Sequence, residues 1–219
     1  MIQLENLTKY FMVNGSRSYV ARNLNITLAD RASIGLLGRN GAGKSTLLKV
    51  ISGTMLPDDG RVISTGDISW QIGFAGSFHP ELSGAQNVRF IARVYGVDSD
   101  ILISFVKDFA ELGENFHTPF RTYSAGMRAR LAFGVSMGVP FSYYLIDEVT
   151  AVGDSSFRKK CTDVLHKRLK TAGAIVVSHS SETLLSLCKS GMVLENGRLT
   201  WHDDIKDAIA EHETRMLAG

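Results

Sequence analysis

The apolar positions of the chain first alternate over short runs and then recur at helical spacing. Ile2–Leu7, Leu24–Leu28 and Ser33–Leu37 read as strands. A helical run opens at Lys44 and closes near Gly53, where Gly-Thr-Met-Leu-Pro-Asp-Asp-Gly supplies turn residues. Arg61–Ser64 and Ile68–Phe74 again read as strands. Between about Leu82 and Met137 the pattern changes. Ala85–Val94, Ile101–Leu112 and Ser124–Met137 carry apolar residues at helical spacing, with few strand signals.

After this helical stretch come a buried strand (Tyr143–Ile146), a helix (Ser155–Lys170), a second buried strand (Ala174–Ser178) and a helix (Glu182–Lys189). A hairpin with Asn196-Gly197 at its turn follows, then a terminal helix from about Asp203. Strands that alternate with helices predict an α/β fold built on a mostly parallel sheet. The expected organisation is one domain over residues 1–219, with an inserted helical subdomain at about 78–138 and no repeat or low-complexity tract.

Composition narrows the class. The 219 residues are 44% hydrophobic and 21% charged, which suits a globular domain with a sizeable core. A net charge of +2 is too mild for a nucleic-acid footprint, so no nucleic-acid partner is expected. Cys161 and Cys188 form no metal-binding set and read as ordinary thiols of a reducing cytoplasm. The N-terminal MIQLENLTKYF has no apolar h-region. The uncharged stretch Leu131–Ile146 is shorter than the roughly 20 residues of a membrane span and contains Pro140. It reads as a buried helix end followed by a core strand, so any membrane partner must supply the spans.

The chemistry begins at Gly38-Arg39-Asn40-Gly41-Ala42-Gly43-Lys44-Ser45, followed by Thr46, which fits GxxxxGK[ST] between a strand and a helix. Such a loop turns backbone N–H groups toward phosphate oxygens, and the helix N-terminus adds partial positive charge. Lys44 can reach the β- and γ-phosphates, and the Ser45 hydroxyl can ligate Mg²⁺. A P-loop alone does not separate kinases, GTPases, helicases and transporters. Tyr143–Ile146 ends in Asp147-Glu148, which places Asp147 to hold Mg²⁺ and Glu148 to orient or deprotonate an attacking water.

With these motifs in order the chain resembles ABC ATPases over essentially its whole length. Tyr123-Ser124-Ala125-Gly126-Met127 stands where that family has its LSGGQ signature, with Ala125 for a glycine and Met127 for the glutamine. The resemblance gives Ser124, Gly126 and Met127 phosphate contacts from a helix N-terminus. It makes Ala151-Val152-Gly153-Asp154 the D-loop, His179 the switch histidine that meets the γ-phosphate and couples it to Glu148, and Phe11 the ring that stacks on adenine, with Tyr10 as the other candidate. The Q-loop glutamine has no clean counterpart. The corresponding stretch runs from Gln71 to His79, and Gln71 stands early in it.

In that family the signature of one subunit covers the ATP bound by the P-loop of the other, so the resemblance implies a second copy of this chain and two composite sites. It also implies a P-loop NTPase core of RecA type with an N-terminal antiparallel region, and ATP and Mg²⁺ as cofactors. An integral-membrane permease would dock on the helical region. Arg89 and Arg93 lie there, although a solvated helix face is their simpler reading. Phe78-His79-Pro80-Glu81-Leu82-Ser83-Gly84 with Asn87, and the sequences around Ser124 and Asp147, are similar to the polysaccharide-exporter branch. The implied task is export of a lipid-linked capsular-type polysaccharide, handled mainly by partners, from the cytoplasmic face of the bacterial inner membrane. O-antigen or teichoic-acid exporters are the alternative within that branch. O-antigen versions often carry a C-terminal glycan-binding domain, whereas this sequence ends one short helix later, at Gly219. Soluble ABC ATPases of DNA repair or translation generally fuse two such domains or carry long coiled-coil insertions. A GTPase should show Asn-Lys-x-Asp, which the sequence lacks.

Overall fold

The computed structural model describes residues 1–73, 76, 78–147 and 154–217. They form two compact units. One draws on the described residues of 1–71, 141–147 and 169–217, and the other on those of 72–140 and 154–168. The expected α/β class holds, with a mostly parallel core, an antiparallel N-terminal sheet and a helical unit.

In the first unit, β1 (Ile2–Val13) pairs antiparallel with β2 (Ser16–Leu28) and with β4 (Asp59–Ser64), in the order β2-β1-β4. The β1–β2 strands run much longer than the two short runs seen in the sequence. They are joined at Asn14-Gly15, both with positive φ (50° and 78°), as a two-residue type I′ turn requires. The N-terminal half of β1 and the C-terminal half of β2 carry the buried residues Ile2, Leu4, Leu7, Leu24 and Leu28, while the tip is polar or exposed.

The second sheet has six strands in the order β5-β6-β7-β3-β8-β9. These are β3 (Ser33–Leu37), β5 (Ile68–Gln71), β6 (Tyr143–Asp147), β7 (Gly173–Val177), β8 (Ser190–Glu195) and β9 (Arg198–His202). The first five in this order are parallel, and β9 returns antiparallel through the predicted Asn196-Gly197 turn, where φ is 48° and 76°. Central strands buried on both faces read as continuous apolar runs, as Ile34–Leu37 and Ala174–Val177 do. Strand β5 is shorter than the expected Ile68–Phe74, because Ile72 and Gly73 already turn, and Phe74 lies outside the described residues.

Helix α1 (Lys44–Ile51) follows β3 and buries Leu47, Leu48, Val50 and Ile51 in the core shared with Leu28, Leu36, Tyr143 and Val177. On β3 and β8 two glycines, Gly35 and Gly191, lie side by side in register. A Cβ on Gly35 would come 2.6 Å from Ile205 Cδ1, and one on Gly191 would overlap the Ala208 Cβ. The missing side chains make a flat notch, and the last helix packs straight onto the strands.

In the helical unit, Ser83 and Gln86 form a reciprocal capping box at the start of a helix over Gly84–Val94, here α2. Helix α3 (Ser99–Ala110) is capped by Asp98, and α4 (Ala125–Gly138) by Ser124. The buried Asn87 amide donates to His79, Leu82 and Ser83 carbonyls (all 3.1 Å), and its oxygen accepts from His79 N–H (2.8 Å). This one side chain therefore fixes the preceding Phe78–Ser83 loop. The core is aromatic, with Phe109 against Phe105, Phe133 and Phe157 at ring separations of 5.3–5.8 Å. Leu131–Met137 is the buried end of α4, as its composition predicts. Among the described residues no helix is long and apolar enough to cross a membrane.

Candidate nucleotide site

Parallel strands β3, β6 and β7 end at one edge of the sheet, and the loops that leave them form a crevice there. Asn40, Gly41, Gly43, Lys44, Ser45, Thr46, Asp147, Val177 and His179 line a cleft of about 560 Å³. The loop after β3 owes its shape to Gly41 and Gly43, whose φ values of 81° and 101° would strain any side chain. It delivers the Lys44 ammonium inward, where it donates to the carbonyls of Gly38 (2.7 Å) and Arg39 (3.1 Å). A cation held by the loop's own carbonyls is poised for phosphate oxygens at the same place. Gly38 has φ 152° at the start of this loop, and Ala42 N–H donates to Arg39 O (3.1 Å) to close its turn.

Asp147 ends β6 and is half-buried. Its Oδ2 accepts from Gln71 Nε2 (3.2 Å), and the same nitrogen lies 3.3 Å from Ser45 O. Gln71 thus ties together the ends of β5 and β6 and the first turn of α1. Its reach comes from a register irregularity in β5, where the buried Ser69 hydroxyl accepts the Leu145 N–H in place of a backbone carbonyl. In sequence order Gln71 stands early for the Q-loop glutamine, and its place there is open. The irregular strand brings it to Asp147.

The Ser45 hydroxyl and the Asp147 carboxylate, both at the cleft, are oxygen donors that suit a hard cation. Mg²⁺ commonly takes one or two carboxylates, waters and substrate phosphates rather than a full protein cage. Among the described residues no group of three or more His, Cys, Asp or Glu side chains could hold a metal ion by themselves.

His179 follows β7 on a short loop braced by serines. Ser180 N–H donates to the Ser178 hydroxyl (3.1 Å), and the Ser180 hydroxyl caps the helix Ser181–Leu187, here α6, by accepting from Thr183 N–H (3.2 Å). The imidazole is exposed at the cleft. Of the predicted residues, the cleft gathers Asn40, Gly41, Gly43 to Thr46, Asp147 and His179. It also gathers Val177, which carried no motif signal.

Phe11 lies on β1 and does not line this cleft. Its ring is 43% exposed, with the Lys9 ammonium 5.6 Å from its centre. The neighbouring Tyr10 is engaged by the Tyr19 ring (5.7 Å) and the Arg17 guanidinium (4.6 Å), which leaves Phe11 the more open of the two. Ser124, Gly126 and Met127 belong to the helical unit, at the N-terminus of α4, where the Ser124 hydroxyl accepts from Met127 N–H (3.2 Å). Glu148 and Ala151–Gly153 lie outside the described residues. Asp154 accepts from Phe157 N–H (2.9 Å) ahead of the helix Ser155–Leu169, here α5, and pairs with Arg130 of α4 (3.0 Å). The Phe157 N–H, and then Arg130, hold its carboxyl below the usual range.

The profile of the ABC transporter family matches residues 21–151. The polysialic acid transport ATP-binding protein KpsT of Escherichia coli is 45% identical over 97% of this chain and 99% of its own length. The capsule polysaccharide export ATP-binding protein CtrD of Neisseria meningitidis serogroup B is 42% identical over 95% and 96%. Among solved structures, the dimeric post-hydrolysis state of the ATP-binding cassette MJ0796 with ADP and Pi superposes with a TM-score of 0.73. It shares 23% identity and covers 92% of this chain and 98% of that one. The chain belongs to the ABC transporter family and is one of its ATPases.

Proposed function

We propose that this ABC transporter ATPase powers export of a lipid-linked capsular-type polysaccharide through a separate membrane subunit. The observation that carries the reading is near-full-length identity above 40% to ATP-binding proteins of polysialic acid transport and capsule export. The cleft supports it chemically. Exporters of O-antigen or teichoic acid are the alternative.

In this reading the P-loop from Gly38 to Thr46 cradles the phosphates, and Lys44 moves from its carbonyl contacts to the β- and γ-phosphate oxygens. Ser45 and Asp147 would hold Mg²⁺, with Gln71 orienting the Asp147 carboxylate through its amide N–H. The bound ion would offset charge on the β- and γ-phosphate oxygens. Glu148 takes the proton of the attacking water, and His179 donates toward the γ-phosphate. Ser124, Gly126 and Met127 cover the γ-phosphate bound by the partner copy, so the active species is a two-fold dimer with two composite sites. Phe11 stacks on the adenine. The dimer works at the cytoplasmic face of the bacterial inner membrane. There a permease feels its closure and opening, and the glycan is contacted mainly by partners.

The test has two arms. Purified chain is expected to show ATP turnover per molecule that rises with protein concentration, while Glu148→Gln is nearly inactive and elutes as an ATP-dependent dimer. In the source bacterium, a Lys44→Ala replacement is expected to remove polysaccharide from the cell surface and leave it inside. Surface polysaccharide unchanged in a strain whose variant has lost ATP turnover would overturn the export reading.

A further inference from the structure

Helix α7 (Ile205–Leu217) turns Ile205, Ala208, Ile209 and His212 toward the sheet, at the i, i+3, i+4, i+7 spacing of a buried stripe. The first three are apolar and buried, and the fourth is a half-buried histidine. Ile205 and Ala208 rest over the Gly35–Gly191 notch, so the helix lies close to the strands and its stripe continues to the P-loop. There His212 and Glu213 face Gly38, Lys44, Ser178 and His179 around a void of about 50 Å³. Such a space admits a few waters and has the polar partners to hold them, and it is far too small for a nucleotide.

Lys44 and His179 line this void and the 560 Å³ nucleotide cleft alike. The two side chains that meet the phosphates are therefore a shared wall, with the cleft before it and α7 behind. The helix is also anchored away from that wall. Glu211 pairs with His202 on β9 (2.5 Å) and with Arg215, and Arg215 pairs with Glu195 on β8 (2.7 Å). Packing alone would be served by another apolar residue at the fourth stripe position.

We infer that His212 is a positioning residue of the ATPase: from behind the cleft it sets the placement of Lys44 and His179, which makes α7 part of the hydrolytic apparatus. Burial, followed by the charge of Lys44, favours the neutral ring. His179 acts in the same direction, and Glu213 and Glu195 oppose it. A neutral imidazole offers one lone pair and one N–H, and so can bridge a lysine and a second histidine, directly or through water. Because His212 touches no nucleotide in this arrangement, its loss changes turnover rather than affinity.

The inference rests on the ATPase reading, and the experiment separates the two. Steady-state ATP hydrolysis by the purified full chain is measured for wild type, His212→Ala and His212→Gln, with a thermal melt of each. Wild type without ATPase activity would defeat the underlying reading. With wild type active, His212→Ala is expected to lose about tenfold in kcat, with KM for ATP within about twofold. His212→Gln, which restores size and hydrogen bonding without charge, is expected to recover most of the loss at an unchanged melting temperature. A kcat for His212→Ala equal to wild type overturns the inference. So does equal impairment of both variants that tracks a lowered melting temperature, since that outcome assigns the residue to packing.

Discussion

Replacing Gly191 with alanine tests whether the glycine notch sets the seat of α7. The residue is buried on β8, and its backbone conformation is one that alanine also adopts. On backbone entropy alone the substitution would stabilise the fold, by about 0.4–1 kcal/mol. The tertiary term opposes this. The new Cβ overlaps the Ala208 Cβ and lies 3.0 Å from Ile205 Cδ1. The Ile205 methyl can swing aside, but the Ala208 Cβ is fixed to the helix backbone, so α7 must lift or β8 must bend. Lifting opposes the Ile205 N–H bond to Lys189 O (2.9 Å) and the Arg215–Glu195 and Glu211–His202 pairs. Overpacking of this kind costs about 1–3 kcal/mol and outweighs the entropic gain.

The net expectation is a destabilisation of about 1–2 kcal/mol, which lowers Tm by roughly 2–8 °C in a chain of this size. Thermal unfolding followed by far-UV circular dichroism reads it. Adding Ala208→Gly removes the opposing methyl. By itself that change costs about 1 kcal/mol of helix propensity, yet in the Gly191→Ala background it should cost nothing further. A Gly191→Ala chain as stable as wild type, or a double variant whose losses simply add, would refute the close-packed seat.

Four further outcomes are expected. His212 has a folded pKa below its unfolded value, so the unfolded chain binds more protons as pH falls below about 6.5, and stability is lost in that direction. The Tm of wild type relative to His212→Gln should therefore fall as the pH is lowered from 8 to 5, and a difference independent of pH would contradict it. Burial pushes the thiols of Cys161 and Cys188 up to about 12, so iodoacetamide at pH 8 should modify them only in unfolded chain, and prompt labelling of folded protein counts against this. Ser124→Ala should cost about 1 kcal/mol through the lost cap on Met127 N–H. Ser124→Asp should keep the cap and Tm but, if the proposed composite site holds, abolish ATP turnover by setting a carboxylate against phosphate; active Ser124→Asp protein would remove Ser124 from the site. Gln71→Leu should raise the Mg²⁺ concentration needed for half-maximal ATP turnover, and an unchanged requirement would show that the Asp147 contact is incidental.

What the sequence could show by itself is the chemistry written in consecutive residues. Gly38 to Thr46 is legible because a strand, a glycine loop, a lysine, a hydroxyl and a helix start follow one another along the backbone, so local geometry already brings N–H groups, ammonium and hydroxyl together. Asp147 is legible as the end of an apolar strand, and Asn196-Gly197 as a turn. The Asn14-Gly15 turn carries the same signal, and reading it would have revealed the long β1–β2 hairpin.

Features that depend on strand neighbours far apart in the chain were decided only in three dimensions. Gln71 reaches Asp147 because an irregularity in β5 is read against β6, 76 residues away. Gly35 and Gly191 become a notch only when β3 and β8 pair, and neither glycine has a turn beside it to announce a purpose. His212 looks like one more polar residue of a terminal helix until that notch draws α7 against the sheet and sets its ring behind Lys44 and His179. Periodicity reports which face of an element is buried. Pairing and close packing decide what that face meets, and those are set by contacts that no stretch of sequence contains.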